Sequence, residues 1–294
     1  MYALSMNTEQ ETPVIVVGAL NLDVCGVPKD DFRPRDSNPG RVFVSAGGVG
    51  HNIARHLASA GVPVELLTVL GDDDIAWLLT RQCGREGVSL SHAMRLAGGS
   101  GTYCSVHDTD GDMLAAVNDM SLLDAFTPDC LAPRLPMLNA APLIVMDANL
   151  PKDTLEYLAE HAAAPLLLDP VSGFKAERVR RVIGRFAAVK PNLLEAERLS
   201  GEGDPARAAA WFLRQGVSQV FISLGNRGVY YAGAASRGHL PAPAMRVKNC
   251  TGAGDAMISG IARAMLLGAP AEDAAAMGLA AVTKHLLAQG GSFL

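Results

Sequence analysis

Two stretches of this sequence carry residue types and spacing suited to chemistry on an anion. The first, Asn249-Cys250-Thr251-Gly252-Ala253-Gly254-Asp255, runs into the helical pattern Ala256 to Leu267. Free backbone N–H groups in the first turn of a helix, with the positive end of its dipole, hold negative charge where no side chain blocks the approach. Glycine removes that block. Gly252, Ala253 and Gly254 therefore read as an anion hole for a phosphoryl group in transit. Asp255 reads as the carboxylate that orients and deprotonates an attacking hydroxyl. At a helix start the dipole is expected to keep it ionised. A free carboxylate is a weak base, which suffices if phosphoryl transfer is loose and positioning supplies most of the rate. The same heptapeptide can also be a capped helix start with an ordinary Asp.

The second stretch, Ala46-Gly47-Gly48-Val49-Gly50-His51-Asn52, opens a helical pattern through Ala54, Leu57 and Ala60. The Asn52 amide both donates and accepts, and from a first helical turn it can meet a polyhydroxylated ligand held against the Gly47 and Gly48 backbone. A dinucleotide fingerprint is not met: Ile53 stands where its third glycine belongs, and the first strand runs into Gly18-Ala19-Leu20. No Gly-Lys dipeptide occurs, which excludes a Walker A loop. The seven histidines include no HExxH pair, so a metal hydrolase has little support, and His51 and His56 read as helix residues.

Something must position these stretches. Apolar runs at Val14 to Val17, Val64 to Val69, Leu143 to Met146, Leu166 to Leu168, Ala187 to Val189 and Val220 to Ser223 alternate with segments of helical period. That alternation predicts an α/β fold, and apolar strands without a polar face predict a parallel sheet sandwiched by helices. Two segments break the rhythm. Cys25 to Ser45 is rich in Pro and charge, and Gly101 to Met120 reads as a hairpin about Asp110-Gly111, a dipeptide suited to a type I′ turn. Both are expected to form a small β-lid, near 25–45 and 101–120, whose exposed edge would be a natural homodimer contact. The competing reading is two surface loops.

Composition bounds the partners. The 294 residues are 49% hydrophobic and 19% charged, the range of a globular enzyme, and one large domain over 13–294 is expected after a tail at 1–12. A net charge of −5 would repel a phosphate backbone, so nucleic acid is not an expected partner. Five scattered cysteines without a CxxC pair argue against a disulfide framework and a thiolate zinc site, and fit a reducing cytoplasm. The first dozen residues lack the pattern of a signal peptide, and no apolar run approaches the roughly 20 residues needed to span a bilayer. A soluble cytoplasmic protein is expected.

Taken together and in this order, the two glycine stretches resemble the signatures of the ribokinase/PfkB family of carbohydrate kinases. Gly47, Gly48, Asn52, Ala54, Gly61 and Gly71 match the first, and Asn249, Thr251, Gly252, Ala253, Gly254 and Asp255 the second. The resemblance covers essentially the whole chain after Thr12; Cys250 departs from the Thr or similar residue usual there. It implies a ribokinase-like fold and an ATP-dependent kinase that uses Mg²⁺, with a monovalent cation such as K⁺ as a further implied ligand. It implies that Asp23 binds sugar hydroxyls and that Asn192 and Glu195 help place magnesium and phosphate, Glu195 through water. The turn Ser223-Leu224-Gly225-Asn226-Arg227-Gly228 resembles the nucleotide-side loop, so Ser223, Gly225 and Gly228, with Thr251, are expected to face ATP.

Within the family, Asp110 to Met120, Asp147 to Leu150 and Asp169 to Ser172 with Lys175 resemble the pseudouridine kinases. The implied reaction is phosphorylation of a ribosyl 5′ hydroxyl. A uracil ring needs paired polar groups that a bare sugar does not, and Thr102, Asn118, Asp119 and Asn149 are candidates to supply them. Two alternatives stand beside this: a kinase for ribose, adenosine, fructose or another such compound, and a non-catalytic nucleoside- or sugar-binding module.

Overall fold

The computed structural model describes residues 12–247 and 249–293, so the expected tail at 1–12 lies outside the described residues except for Thr12. In chain order the elements are β1 (Val14–Val17), β2 (Asn21–Pro28), β3 (Gly40–Gly47), α1 (Val49–Ser59), β4 (Val64–Leu67), α2 (Asp74–Arg85), β5 (Thr102–His107) and β6 (Met113–Asp119). There follow β7 (Ile144–Asp147), α3 (Lys152–His161), β8 (Leu166–Asp169), β9 (Ala188–Val189), α4 (Leu193–Ser200), α5 (Pro205–Gln215) and β10 (Gln219–Ser223). The chain closes with β11 (Val229–Gly233), β12 (Arg237–Leu240), α6 (Ala253–Leu266) and α7 (Ala271–Ala288).

The main sheet has the order β12-β11-β10-β9-β8-β7-β1-β4. From β4 to β10 every pairing is parallel, with Val16 opposite Leu66 on one side and Val145 on the other. The expected strands pair in parallel, and two further strands, β11 and β12, add on antiparallel, Phe221 facing Tyr231 and Tyr231 facing Gly238. A short turn through Gly225–Arg227 allows the reversal, since an antiparallel pair needs no crossover helix. The period of two divides β1 between two cores. Ile15 and Val17 pack with Leu155, Leu199 and Phe212 of α3, α4 and α5, while Val14 and Val16 pack with Ile53, Leu79 and Ile258 of α1, α2 and α6. Helices on both faces explain why these strands carry no polar side.

A second sheet, in the order β3-β2-β5-β6, forms from the two segments that broke the rhythm, and the surface-loop alternative is set aside. Its strands reach beyond the expected bounds, from Asn21 on one side to Gly47 on the other. The expected type I′ turn is not what forms. Five residues, 108–112, link β5 to β6, Gly111 alone among them has a positive φ, and the Asp108 carboxylate accepts from the backbone N–H of Asp110 and Asp112. The Asp side chain imitates a backbone turn and takes over what the dipeptide would have done. Among the described residues no helix is long and apolar enough to cross a membrane, and all five cysteines are free thiols.

Candidate active site

Strands β7, β8, β9 and β10 end along one rim of the main sheet, and two helices begin there. The first, α1, starts after Gly48, whose φ of 97° lets the backbone turn where Ala19 and Asn21 leave no room for a side chain. The other, α6, starts after Gly252, with φ 79°, three residues earlier than its apolar pattern suggested. Ala253, Gly254 and Asp255 therefore form its first turn, where backbone N–H groups are free of intrahelical partners.

The two helix starts meet through side chains 203 positions apart: the Asn52 amide donates to Asp255 Oδ2 at 2.8 Å. Asp255 is not the freely ionised carboxylate that the helix dipole alone would give. Burial, with the Asp169 and Asp147 carboxylates nearby, pushes its pKa up to about 7, against the opposing pull of the Asn52 hydrogen bond and Lys190. The dipole is outweighed because its charge is partial while burial strips the carboxylate of its water. This is a better base for a hydroxyl at neutral pH than an exposed aspartate.

Lys190, quoted in the sequence only as part of its motif, is the cation beside Asp255. Its ammonium is 3.3 Å from Asp169 Oδ2 and almost wholly buried. Burial works against that charge, but Asp169, Glu195 and Asp255 outweigh it and hold the lysine above its ordinary pKa. A Cβ on Gly254 would stand 3.5 Å from the ammonium. The amides of Gly252 to Gly254 thus have a lysine behind them, a combination able to stabilise charge developing on a phosphoryl group. The sequence signal for Asp147, Asp169 and Lys190 was their place at or just past strand ends on this rim, where open α/β sheets bind ligands.

Glu195 and Asn192 cap α4 reciprocally. Asn192 Oδ1 accepts from the Glu195 backbone N–H, and the Glu195 carboxylate accepts from the Asn192 N–H at 2.9 Å and its amide at 2.7 Å. Burial raises the pKa of Glu195, and Lys190 and the Asn192 N–H oppose it. Asn192 also bridges to Ser223, which lines a cavity of about 620 Å³ with Gly225, Gly228, Met257, Leu279 and Leu286. Ala253 and Gly254 line the same cavity, so the expected nucleotide-side loop and the anion hole open onto one space. Thr251 is exposed beside it, and its carbonyl accepts from His285 Nε2 at 2.8 Å, a support from α7 that nothing in the sequence announced.

On the other side lies the small sheet. Asp23 accepts from the Asn21 amide, and a Cβ on Gly47 would collide with its carboxylate, so Gly47 is held by close approach rather than by φ. Burial raises the Asp23 pKa, opposed by the Asn21 hydrogen bond and by His51. His51 is more than a helix residue: buried to 1% exposure, it pairs with Glu86 Oε2 at 2.7 Å and ties α1 to α2. The register separates the three candidates for reading a base that lie in the small sheet. Tyr103 is opposite both Asp23 and Asn118, so Asn118 shares a face with Asp23. Thr102 and Asp119 pair on the opposite face. Asp119 is occupied as a turn acceptor for the N–H and hydroxyl of Ser121, and Thr102 donates to the Ser100 carbonyl. Asn149 stands on the rim, two residues past Asp147, whose carboxylate accepts its backbone N–H.

Comparison with known proteins gives a consistent result. The chain is 37% identical over 265 residues to the pseudouridine kinase of Escherichia coli, covering 87% of this chain and 85% of the relative. It superposes on a carbohydrate kinase from Agrobacterium tumefaciens with a TM-score of 0.82 at 29% identity, over 92% of this chain and 89% of the other. Arabidopsis thaliana ribokinase, solved with ribose and ATP, shares the fold at a TM-score of 0.78 and 21% identity, over 95% and 93% of the two chains. A rim with this geometry, and a match of residues 11–291 to the sequence model described as the pfkB family carbohydrate kinase, make the chain a member of that family and an ATP-dependent phosphotransferase.

Proposed function

We propose that this sugar/nucleoside kinase phosphorylates the 5′ hydroxyl of a ribonucleoside, with pseudouridine as the preferred acceptor. The hydrogen bond between Asn52 and Asp255 carries the mechanistic part of this reading. Asn52 leads the acceptor-side helix and Asp255 the anion-hole helix, so one contact registers the hydroxyl to be attacked against the base that takes its proton. Asp255 accepts the proton from the 5′ hydroxyl as the oxygen closes on the γ-phosphorus of ATP. The amides of Gly252 to Gly254, backed by Lys190, hold the charge on the transferring group. ADP leaves toward the Ser223, Gly225 and Gly228 side.

Among the described residues no cluster of three or more His, Cys, Asp or Glu side chains is placed to hold a metal. Mg²⁺, which binds few protein oxygens and keeps several waters, fits here through Glu195 by way of water, and when bound it neutralises phosphate charge. A monovalent cation such as K⁺ is a further ligand in this reading. The homodimer belongs to it too, because β6 is exposed along its length and offers an unpaired edge.

The substrate assignment is supported by the 37% identity to the Escherichia coli enzyme named for pseudouridine and by Asn118 sharing a face with Asp23. Pseudouridine has a ring N–H where uridine has a C–H, and an acceptor such as the Asn118 carbonyl oxygen would reward it. The test is kcat/KM for pseudouridine, uridine, ribose and adenosine with ATP and Mg²⁺. Pseudouridine should lead; a clear preference for ribose or adenosine overturns the substrate while leaving the kinase chemistry intact.

A further inference from the structure

The Thr251 carbonyl faces His285 Nε2 at 2.8 Å. A carbonyl oxygen can only accept, so a bare ring nitrogen there would set lone pair against lone pair; Nε2 carries the hydrogen. Gln289, the residue after α7, brings its amide nitrogen within 3.3 Å of the same oxygen and 3.0 Å of His285 Nε2. The His285 ring is 9% exposed, which keeps water from competing for the carbonyl.

That carbonyl belongs to the peptide that also carries the Gly252 N–H. A trans peptide is planar, with its C=O and N–H pointing in opposite directions, so holding one aims the other. Gly252 needs such a hold. With φ 79° and no Cβ, it lets the peptide before it turn over at little cost. Its neighbours are partly engaged: the Thr251 N–H donates to Asn249 Oδ1 at 2.8 Å and the Ala253 N–H to the Cys250 carbonyl at 3.1 Å. From Thr251 to Gly254, Gly252 and Gly254 keep an N–H without an acceptor among the described residues.

The ring is seated from the acceptor side. His56, one turn after Asn52 on α1, meets His285 edge to face, with ring centroids 5.0 Å apart and planes at 78°. Its Nε2 is buried without a hydrogen-bond partner, and burial, with Arg55, His285 and Lys284 nearby, pushes its pKa down to about 4. His56 is thus a neutral packing surface near neutral pH. One face of α1 sets Asn52 against Asp255 and His56 against the ring that grips the turn before α6.

We propose that His285 is a positioning residue for phosphoryl transfer: by holding the Thr251 carbonyl, with His56 seating its ring, it keeps the Gly252 N–H aimed at the transferring phosphoryl group. His285 is not among the residues lining the cavity of Ser223 and Leu286, so it acts through the peptide. The role rests on the anion-hole reading above and goes beyond it by naming what holds one of the donors in place.

The test compares wild type with His285→Phe, which keeps a ring against His56 and loses the donor, and His285→Gln, which keeps an N–H donor and loses the ring. The acceptor is whichever of pseudouridine, uridine, ribose and adenosine the wild type turns over best, so the result does not depend on the substrate assignment. Readouts are kcat, KM for both substrates, and Tm. His285→Phe should lower kcat by about 10- to 100-fold with both KM values within about twofold, because the donor acts in the transition state. His285→Gln should recover most of that loss, even with a lower Tm. A folded Phe variant with wild-type kcat, a Gln variant as slow as the Phe variant, or losses that fall on KM overturn the proposal. Gly254→Ala, run alongside, separates the two readings: if it slows turnover and His285→Phe does not, the anion hole stands and the positioning role fails. Should neither His285 variant fold, nitrogen NMR of the wild-type imidazoles decides. Hydrogen on His285 Nε2 supports the hold, and hydrogen on Nδ1 alone overturns it.

Discussion

In the proposed reaction Asp255 must be ionised in order to take a proton, in surroundings that make ionisation costly. With its pKa near 7, kcat/KM for the acceptor should climb as pH rises through about 7, and then level. Asp255→Asn should lower kcat by about 10²- to 10⁴-fold with ATP affinity kept. The same substitution bears on stability, with a definite sign. A carboxyl whose folded pKa lies above its unfolded value contributes stability at low pH that is lost as pH rises through the folded pKa, here from about 4 to about 7. Asp255→Asn should therefore raise Tm more at pH 8 than at pH 5, measured by calorimetry. A variant that lost turnover with no such pH-dependent gain would mean that Asp255 is not burdened as described. The candidate residue was legible from its heptapeptide, but its pKa was not. The dipole is a local property, whereas Asp169, Asp147 and Lys190 come from three other elements.

Two helix starts and a small sheet make the site, and each element can be tested separately. Gly252 has φ 79° and the His285 ring 3.2 Å from where a Cβ would sit, whereas Gly254 has ordinary backbone and room for a methyl beside Lys190. Gly252→Ala should lower both stability and turnover. Gly254→Ala should leave Tm nearly unchanged and still reduce kcat, because the methyl covers the approach to the lysine. If both variants kept wild-type kcat, these amides would not face the phosphoryl group. For the small sheet the expected signature is asymmetric. Asp23→Ala should weaken the acceptor by about 1 to 3 kcal/mol, the cost of a hydroxyl left without its partner, with ATP KM unchanged. Equal weakening of both substrates would contradict the proposed role. The existence of this sheet was legible in two segments that broke the α/β rhythm. Its register was not, and the register is what puts Asn118 with Asp23 and turns Asp119 away.

At the scale of the whole molecule, the main sheet is a platform with one working rim. Its long-range pairings bring residues 19, 52, 147, 169, 190, 223 and 255 to the same edge. The small sheet projects from the platform with Val42, Val44 and Val117 exposed, the last on the uncovered strand β6. Val117→Arg should shift the protein from dimer to monomer in sedimentation equilibrium, since a charge on an exposed edge strand discourages pairing. A wild-type protein that is monomeric at all concentrations would remove the dimer from the reading.

The sequence by itself determined the family, the α/β class, the two glycine stretches and the candidate base. Each of these depends on residue types at short spacing, where glycine, Asn and Asp next to an apolar period are read directly. The antiparallel hairpin at the sheet edge, the five-residue turn of the small sheet and the early start of α6 needed the folded chain. Only the tertiary structure decided that Asn52 touches Asp255, that Lys190 stands behind the anion hole and that Lys175 holds Asn149. Those contacts join residues up to 203 positions apart, and burial and neighbouring charges together shift the pKa values of Asp255 and Lys190. Neither long-range contact nor dehydration leaves a local pattern in a chain.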